Sequence, residues 1–214
     1  MSSYDPVYQH GDFEILERKR VFQGFFALDK LQVRHRLYAG GWSAPFSREL
    51  FVRGKAAGVL LYDPVRDEVV MVEQFRVGMI DAMTAQGRRQ SPWALELVAG
   101  MVDQHESAAQ MAVREVAEET GLNILSAEWI GQYYNSPGGS DECISLFYAE
   151  VDASFAGGVH GLPEENEDIR VVVLTREQAM SALNTGLINN AMAIIALQWL
   201  QLRLLAAAHP SKEK

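Results

Sequence analysis

The length, composition and charge of the chain define its broad class. Its 214 residues suffice for one full domain with a small extension, and 48% hydrophobic with 22% charged residues is typical of a folded globular protein. Disordered, collagen-like and coiled-coil chains are therefore excluded. The 19 Lys and Arg residues against 28 Asp and Glu give a formal net charge of -9, which opposes nucleic-acid phosphates. We expect no nucleic-acid partner.

The sequence carries no recognisable targeting or membrane segment. Its N-terminal stretch contains acidic residues and no long apolar run, so no signal peptide is predicted and a cytoplasmic location is expected. The most apolar stretch, Ala191 to Ala208, is interrupted by Gln198, Gln201 and Arg203, and it predicts a buried or interface helix. The single cysteine, Cys143, excludes an intramolecular disulfide and is expected to be a core thiol.

Strand-type patterns dominate the first part of the chain. From Phe13 to Phe51, apolar and polar residues mix in strand-like runs broken by Gly24 and by Gly40 and Gly41. This predicts a small antiparallel sheet that ends near residue 51. The following region predicts a hairpin around Asp63 and Pro64, and then further strands. These strands are Ala57–Tyr62, Glu68–Phe75, Trp93–Val98, Glu142–Val151 and Asp168–Leu174.

Helix starts and stops are marked by local signals. Ser107 with Gln110, and Thr175 with Gln178, form capping boxes. Glycines follow the two helices as stop signals. The predicted helices run to Thr120 before Gly121, to about Leu183 before Gly186, and from about Asn190 to Ala208, with a frayed tail at Pro210–Lys214.

The helix after Ser107 carries the most informative residues. Glu115, Glu118 and Glu119 fall on one side of it at 100° per residue. The opposite side, predicted to face the core, consists of Ala109, Val113, Val116 and Thr120. Carboxylates at this spacing repel one another, near a helix C-terminus that also disfavours anions. Either a divalent cation offsets this repulsion, or the face is solvated with Arg114 paired to Glu118.

The residues around these glutamates resemble a known family. From Gly100 to Leu122 the chain fits the Nudix box, G-x5-E-x7-R-E-U-x-E-E-x-G-U with U aliphatic, at every fixed position. Gly100 is expected to allow a tight turn after a strand, and Gly121 to close the helix. Glu106 and Arg114 are expected to tie the loop to the helix through a charge-assisted hydrogen bond.

The resemblance to Nudix hydrolases implies a metal-dependent site. In that reading Glu115 and Glu119 are direct metal ligands, Glu118 is a further or water-mediated ligand, and the carbonyl of Ala99 is another. The implied cofactor is Mg²⁺, with Mn²⁺ as an alternative. The family hydrolyses nucleoside diphosphates linked to another group, and the box does not specify which group.

The rest of the chain resembles the bacterial ADP-ribose pyrophosphatase branch. A proline shortly after the box marks that branch, and Pro137 stands in that place. The matching acidic loop implies a general base at Glu165 and another metal ligand at Glu167. If this loop is extended, the alternation of Glu165 and Glu167 lets both point the same way. The alternative interpretation is that these acidic residues lie in a solvent-exposed turn and have no role in catalysis.

The same resemblance implies residues that bind the substrate. Arg48, together with an aromatic residue for which Phe25 fits best, would enclose adenine. Arg76 would contact the diphosphate, because a guanidinium fork suits phosphate oxygens. Glu142 would face the ribose. Without the resemblance, Phe25 reads as a core aromatic residue and the two arginines as surface charges.

The implied fold is α+β, a mixed sheet between helices preceded by a small antiparallel sheet. Residues 1–51 would serve dimerisation and substrate contact, and residues 52–214 would form the catalytic domain. A homodimer with exchange of the N-terminal sheet, no membrane partner, and hydrolysis of ADP-ribose to AMP and ribose 5-phosphate are implied. The alternatives are another substrate such as GDP-mannose, or a noncatalytic ADP-ribose-binding module.

Two departures from the family pattern are visible. Val98 stands where many relatives carry a proline, and the insert from Gly78 to Ser91 is longer than usual. Neither departure changes a carboxylate of the box. The insert is a candidate for altering the rim of the site or a dimer contact.

Overall fold

The computed structural model describes residues 5–84 and 87–208. The chain divides into two compact units, one of Met1–Gly54 with Tyr134–Cys143 and one of Lys55–Tyr133 with Ile144–Lys214. The tail predicted to fray, Pro210–Lys214, lies outside the described residues.

The first unit is built on a three-stranded antiparallel sheet in the order β1-β2-β3. Its strands are β1 (Phe13–Gln23), β2 (Ala27–His35) and β3 (Phe46–Val52). This confirms the small sheet predicted from the strand-type pattern. Asp29 of β2 is buried and pairs with Arg18 and Arg20 of β1, so the buried carboxylate is neutralised across the two strands.

The second unit contains an eight-stranded sheet within the described residues. The order is β10-β11-β5-β4-β9-β8, with β6 paired to β5 and β7 paired to β4. The strands are β4 (Lys55–Asp63), β5 (Glu68–Phe75), β6 (Trp93–Glu96), β7 (Val98–Met101), β8 (Glu128–Tyr134), β9 (Cys143–Glu150), β10 (Val159–His160) and β11 (Ile169–Thr175). Of these, β8 and β10 were not predicted.

The strand predicted from Trp93 to Val98 is two strands. It pairs with β5 as far as Glu96, where Val72 is the partner, and with β4 from Val98, where Val59 is the partner. The segment therefore crosses from one strand of the hairpin to the other at Leu97. The alternation of apolar and polar residues within the segment does not show this change of partner. The change depends on β4 and β5, which are distant from the segment in sequence.

Three α-helices occur in the described residues, α1 (Ala108–Thr120), α2 (Arg176–Thr185) and α3 (Ala191–Ala208). Both predicted capping boxes are present, at Ser107 and Thr175. Gly121 and Gly186 end α1 and α2 in the left-handed conformation. The local signals are thus confirmed at both helices.

Two apolar layers enclose the sheet of the second unit. One lies between the sheet and α1 and includes Met111 and Val116 of that helix. The other includes Ala179 of α2 and Leu197 of α3. The expected arrangement, a mixed sheet between helices, is therefore present.

The buried face of α1 differs from the predicted one. Val116 and Thr120 are buried as expected, but Ala109 is exposed, and Met111 lies in the core instead. The helix is rotated relative to the prediction, so that Glu119 also lies on its buried side. One of the three carboxylates therefore belongs to the inner face.

Among the described residues, α3 is the one helix long and apolar enough to cross a membrane by length and composition. Its inner residues Ala193, Leu197 and Leu200 pack in the layer against the sheet, while Leu202 on its other side is exposed. Packing of this kind matches the buried or interface helix predicted from the sequence. Cys143 is buried and free, as expected of a core thiol.

Candidate active site

The candidate site lies where α1 packs over β7. Ser107 accepts a hydrogen bond from the N–H of Gln110, and this cap fixes where the helix begins. Gly121, with φ 69°, ends it. The helical repeat then places Glu115 and Glu119 one turn apart, and the packing of α1 on the sheet turns both towards β7.

Gly100 has a different role from the one expected. It lies within β7, paired with Ala57, and not in a tight turn. A Cβ atom at this position would come within 2.0 Å of Oε1 of Glu115. Only glycine leaves room for the Glu115 carboxylate against the strand. The expectation of a turn was wrong, and the close approach of a functional side chain is the physical reason for this glycine.

Glu119 is the most buried carboxylate of the site, with 2% of the residue exposed. Its Oε2 accepts a hydrogen bond from the N–H of Ala99 at 3.3 Å. Burial, followed by repulsion from Glu115 and Glu167, raises the pKa of Glu119 to about 8, although the Ala99 hydrogen bond and the charge of Arg76 act in the opposite direction. A buried anion without adjacent positive charge is unfavourable, so this position suits a cationic ligand.

Glu115 is similarly perturbed. Burial raises its pKa to about 6; repulsion from Glu118 and Glu167 adds to the increase, and Arg114 opposes it. The two perturbed carboxyl groups lie one turn apart. Repulsion from Glu115 adds to the pKa shift of Glu119, and repulsion from Glu167 adds to both shifts. Strongly shifted carboxyl groups clustered in this way are characteristic of functional sites.

Arg114 ties the preceding loop to the helix. Its Nη2 donates to Oε1 of Glu106 at 3.0 Å, which confirms the expected contact. Its Nη1 also donates to Glu118 at 2.7 Å and lies 2.9 Å from a Glu115 oxygen. The pKa of Arg114 is raised, first by the hydrogen bond to Glu106. The ion pair between Arg114 and Glu118 was expected if the glutamate face of α1 is solvated. This pair is present, and so is the cluster of carboxylates.

The acidic loop is not extended, so the condition under which alternation would point Glu165 and Glu167 the same way is not met. Pro163–Glu165 forms a 3-10 turn, and Asn166 follows in the left-handed conformation at φ 59°. Glu167 accepts a hydrogen bond from the N–H of Leu162 at 3.1 Å, and its charge reaches Glu115 and Glu119. The side chain of Glu165 is exposed and makes no hydrogen bond or ion pair with the described residues.

The donor types in this cluster fit a divalent cation. Within residues 5–84 and 87–208, no three His, Cys, Asp or Glu side chains converge as a ready-made metal-binding group. Nevertheless, Glu115, Glu119 and Glu167 supply the carboxylate oxygens that hard cations prefer, and burial and repulsion between carboxylates raise the pKa of Glu115 and Glu119. The residues therefore fit the ion by donor chemistry and by charge.

Arg76 also belongs to this region. Its Nε donates to Oε2 of Glu96 at 2.6 Å, and its charge acts on Glu119. Glu96 was not singled out from the sequence. The signal that could have found it is alternation, because Glu96, Val98 and Gly100 occupy every second position on the way into the box.

Phe25 and Arg48, the two residues expected to enclose adenine, do not come together within this chain. Arg48 lies opposite Leu31 on β2 and over the ring of Phe46, whereas Phe25 precedes β2 and is 87% exposed. The four residue steps of β2 from Ala27 to Leu31 span about 13 Å, and Phe25 lies beyond Ala27. The interpretation of Phe25 as a core aromatic residue was therefore wrong, and Phe25 and Arg48 do not meet.

The carboxylate of Glu142 accepts hydrogen bonds from other residues of the first unit. One carboxylate oxygen accepts from Arg53 at 2.7 Å and the other from Asn135 at 2.9 Å. Arg53 also stacks 4.0 Å from the ring centre of Phe26. The sequence did not single out Arg53. Nearby, Pro137 lies in a turn whose Gly139 carbonyl accepts from the N–H of Phe51, which anchors that turn to β3.

Comparisons with known proteins agree with this geometry. The NUDIX domain model matches residues 52–193. The ADP-ribose pyrophosphatase of Escherichia coli (strain K12) is 48% identical over 191 residues, covering 89% of this chain and 88% of that protein. The ADP-ribose pyrophosphatase of Haemophilus influenzae is 47% identical, covering 89% and 87%.

More distant relatives extend the comparison. A GDP-mannose pyrophosphatase of Cronobacter sakazakii is 37% identical over 161 residues, covering 73% of this chain and 78% of that protein. The crystal structure of an ADP compounds hydrolase has a TM-score of 0.65 and 18% identity, covering 92% of this chain and 96% of that chain, and supports the fold. The domain match and the identities together show that the chain belongs to the Nudix family.

Proposed function

We propose that this protein hydrolyses the diphosphate of ADP-ribose to AMP and ribose 5-phosphate, in a reaction that depends on Mg²⁺ or Mn²⁺. The observation that carries the proposal is the cluster of Glu115, Glu119 and Glu167, in which burial and mutual repulsion raise two pKa values. The substrate is inferred from relatives of 48% and 47% identity, which are named ADP-ribose pyrophosphatases.

The proposed metal ligands are Glu115, Glu119, Glu167 and the carbonyl of Ala99, with Glu118 as a further ligand. When bound, a divalent cation lowers the pKa of coordinated water and neutralises charge on the diphosphate oxygens. Arg114 keeps the loop before α1 in place through Glu106. The protein thus supplies position and charge, which dominate catalysis of phosphoryl transfer.

Glu165 is the proposed general base. Water attacks one phosphorus of the diphosphate, the bond from that phosphorus to the bridging oxygen breaks, and this oxygen leaves with the other phosphate group. The proton of the attacking water passes to the Glu165 carboxylate. Because this side chain is exposed on a 3-10 turn and makes no hydrogen bond or ion pair with the described residues, it is available to a water molecule. Arg76 is proposed to bind the diphosphate oxygens through its guanidinium group.

We further propose a homodimer in which residues 1–51 contribute to the partner's substrate site. The separation of Arg48 and Phe25 along β2 supports this arrangement, since one chain alone does not place both on one adenine ring. Glu142 is proposed to face the ribose, in addition to its contact with Arg53. A cytoplasmic location without a nucleic-acid or membrane partner remains part of the proposal.

A hydrolysis panel tests the substrate assignment. ADP-ribose and GDP-mannose are incubated with the full chain in Mg²⁺, in Mn²⁺ and in EDTA, and products are separated by chromatography. Metal-dependent release of AMP from ADP-ribose, faster than turnover of GDP-mannose, is expected. Faster release of GMP would assign the alternative substrate. Binding of ADP-ribose without turnover in any metal would identify a noncatalytic module.

A further inference from the structure

A row of side chains continues from the carboxylates along the α1 side of the sheet. Val70 and Val72 of β5 pack in the layer beneath α1, so alternation places Gln74 on that side. Arg76 follows with an extended backbone, φ -124° and ψ 113°, and its N–H donates to Pro92 at 2.8 Å. Arg76 therefore continues the same row.

Glu96 lies on this side as well. Leu95 and Leu97, its neighbours in sequence, are in the layer on the opposite side of the sheet, whereas Val98 is in the layer beneath α1. Glu96 pairs with Val72 across β5 and β6. Its carboxylate therefore projects beside the row of β5, towards α1.

The contact between Arg76 and Glu96 runs diagonally between two neighbouring strands, β5 and β6. Gln74 pairs with Ala94 between them, and Arg76 Nε reaches Glu96 Oε2 at 2.6 Å. The arginine side chain must pass over the Gln74–Ala94 pair, where the small side chain of Ala94 leaves room. This ion pair uses the Nε of Arg76 and fixes the orientation of its guanidinium group.

Gln74 gives a second indication that this row receives a polar ligand. It is 6% exposed, and its Nε2 is the one buried side-chain nitrogen or oxygen without a hydrogen-bond partner among the described residues. Buried donors are almost always satisfied in native proteins, by protein, water or ligand. An unsatisfied donor beneath Arg76 is therefore expected to be paired when the site is filled.

We propose that Glu96 is a positioning residue, which holds Arg76 through Nε so that Nη1 and Nη2 face the diphosphate of the substrate. The inference rests on the proposed function for the identity of that substrate. A free arginine side chain loses rotamer entropy when it binds an anion, and a fixed one has lost it beforehand.

A double-mutant cycle tests the proposal. Glu96→Gln is expected to lower kcat/KM for ADP-ribose about 10-fold, mainly through KM, because one charge-assisted hydrogen bond to Arg76 is lost. Arg76→Ala should lower it more. In the Arg76→Ala background, Glu96→Gln should have no further effect beyond about twofold, since Glu96 acts only through the arginine. Multiplicative losses in the double variant would overturn the proposal.

Glu73→Gln is the matched control. Glu73 is the neighbour of Gln74 on β5, faces the opposite side, and pairs with Arg170 at 2.8 Å. This variant also removes a carboxylate–arginine pair from β5, and it should leave KM unchanged. Thermal unfolding of all variants identifies any loss that comes from misfolding, and Glu96→Asp, which keeps the charge, should recover part of the KM effect.

Binding of inorganic pyrophosphate separates this inference from the substrate assignment. In calorimetric titrations, Glu96→Gln should weaken pyrophosphate binding in the wild-type background and leave it unchanged in Arg76→Ala. That result without ADP-ribose turnover would refute the proposed function and support the positioning role. Turnover with no pyrophosphate effect of Glu96→Gln, or no pyrophosphate binding by the wild-type chain, would refute the positioning role.

Discussion

The glutamates of the candidate site differ in their surroundings, and these differences agree with the different roles proposed for them. Glu119 is buried against Ala99, Glu115 lies over Gly100, and Glu165 is exposed on the acidic loop. Burial near other carboxylates suits a ligand for a cation, whereas exposure suits exchange of a proton with water. The same residue type is thus expected to serve as ligand at two positions and as base at the third.

Replacement of the proposed base should reduce turnover with little change in substrate binding. Glu165→Gln removes the proton acceptor and keeps the size of the side chain, so kcat should fall about 10²–10⁴-fold while KM stays within a few-fold. Steady-state kinetics with ADP-ribose measures both. Glu164→Gln, in the same exposed turn, is the control and should retain activity. Near-normal kcat in Glu165→Gln would remove this residue from the role.

A methyl group at Gly100 should disrupt the site directly. Its Cβ would lie 2.0 Å from Glu115 Oε1, so Gly100→Ala must displace that carboxylate. We expect kcat/KM to fall about 10–100-fold, as for a change that disturbs the orientation of a metal ligand. Gly131→Ala is the control, because nothing lies within 4 Å of the added atom. Full activity of Gly100→Ala with an unchanged fold would contradict this account of Gly100.

Individual elements differ in how far the sequence predicts them. The ends of α1 and α2 follow from capping boxes and glycines, which act within a few residues. The break at Leu97 and the strands β8 and β10 depend on pairing with distant strands, which a local pattern does not contain. The acidic loop shows the same limit. Its charges were visible in the sequence, but its 3-10 turn was not.

The turn between β4 and β5 should make stability depend on pH. Burial of Asp63 would raise its pKa, but hydrogen bonds from Ala153, Arg66 and Val65 outweigh burial and lower the pKa to about 2. A depressed pKa stabilises the folded state above the unfolded value near 4, and this contribution disappears as pH falls towards 2.

Asp63→Asn should therefore lower stability at pH 7 and weaken its decline between about pH 4 and pH 2. Urea unfolding at a series of pH values measures both effects. Asp81→Asn, an exposed residue outside this turn, serves as the control and should follow the wild-type profile. An Asp63→Asn profile parallel to that of the wild-type chain would show that this turn does not cause the pH dependence.

For the whole molecule, the carboxylate cluster is expected to link stability to the metal. A ligand that binds only the folded state stabilises it by about 2.7 kcal/mol at a hundredfold excess over Kd. For a chain of this size, that corresponds to a rise in Tm of about 5–10 °C. The shift reports ligand binding independently of any assay of turnover.

Mg²⁺ should therefore raise the Tm of the wild-type chain, and EDTA should reverse the rise. Glu119→Gln should abolish most of the shift, because it removes the most buried proposed ligand. Glu177→Gln, an exposed position on α2, is the control and should keep the shift. An undiminished Mg²⁺ effect in Glu119→Gln, measured by scanning calorimetry, would exclude this glutamate as a ligand.

Mixed dimers test whether two chains share the adenine site. Phe25→Ala and Arg48→Ala should each reduce kcat/KM about 10-fold or more, since each removes one side of the proposed stack. Refolding equal amounts together should restore about one quarter of wild-type activity, because half of the dimers are mixed and each has one intact site. No recovery, in samples shown to be dimeric by gel filtration with light scattering, would place both residues in one chain's site or in neither.

The sequence by itself determined the elements that depend on neighbouring residues. It defined the capped helix α1, the fixed spacing of the glutamates in the box, the hairpin of β4 and β5, and the small N-terminal sheet. These features depend on hydrogen bonds and side-chain periodicity over a few residues, so the order of residues specifies them. The fit to the Nudix box followed from the same short stretch.

The tertiary structure alone decided which of these residues meet. It buried Glu119, placed Glu115 against Gly100, and joined Arg76 to Glu96 across two strands. These contacts depend on the rotation of α1 and on the transfer of one segment from β5 to β4, both set by packing between distant parts of the chain. Burial and contact are properties of the packed molecule, and a linear pattern does not specify them.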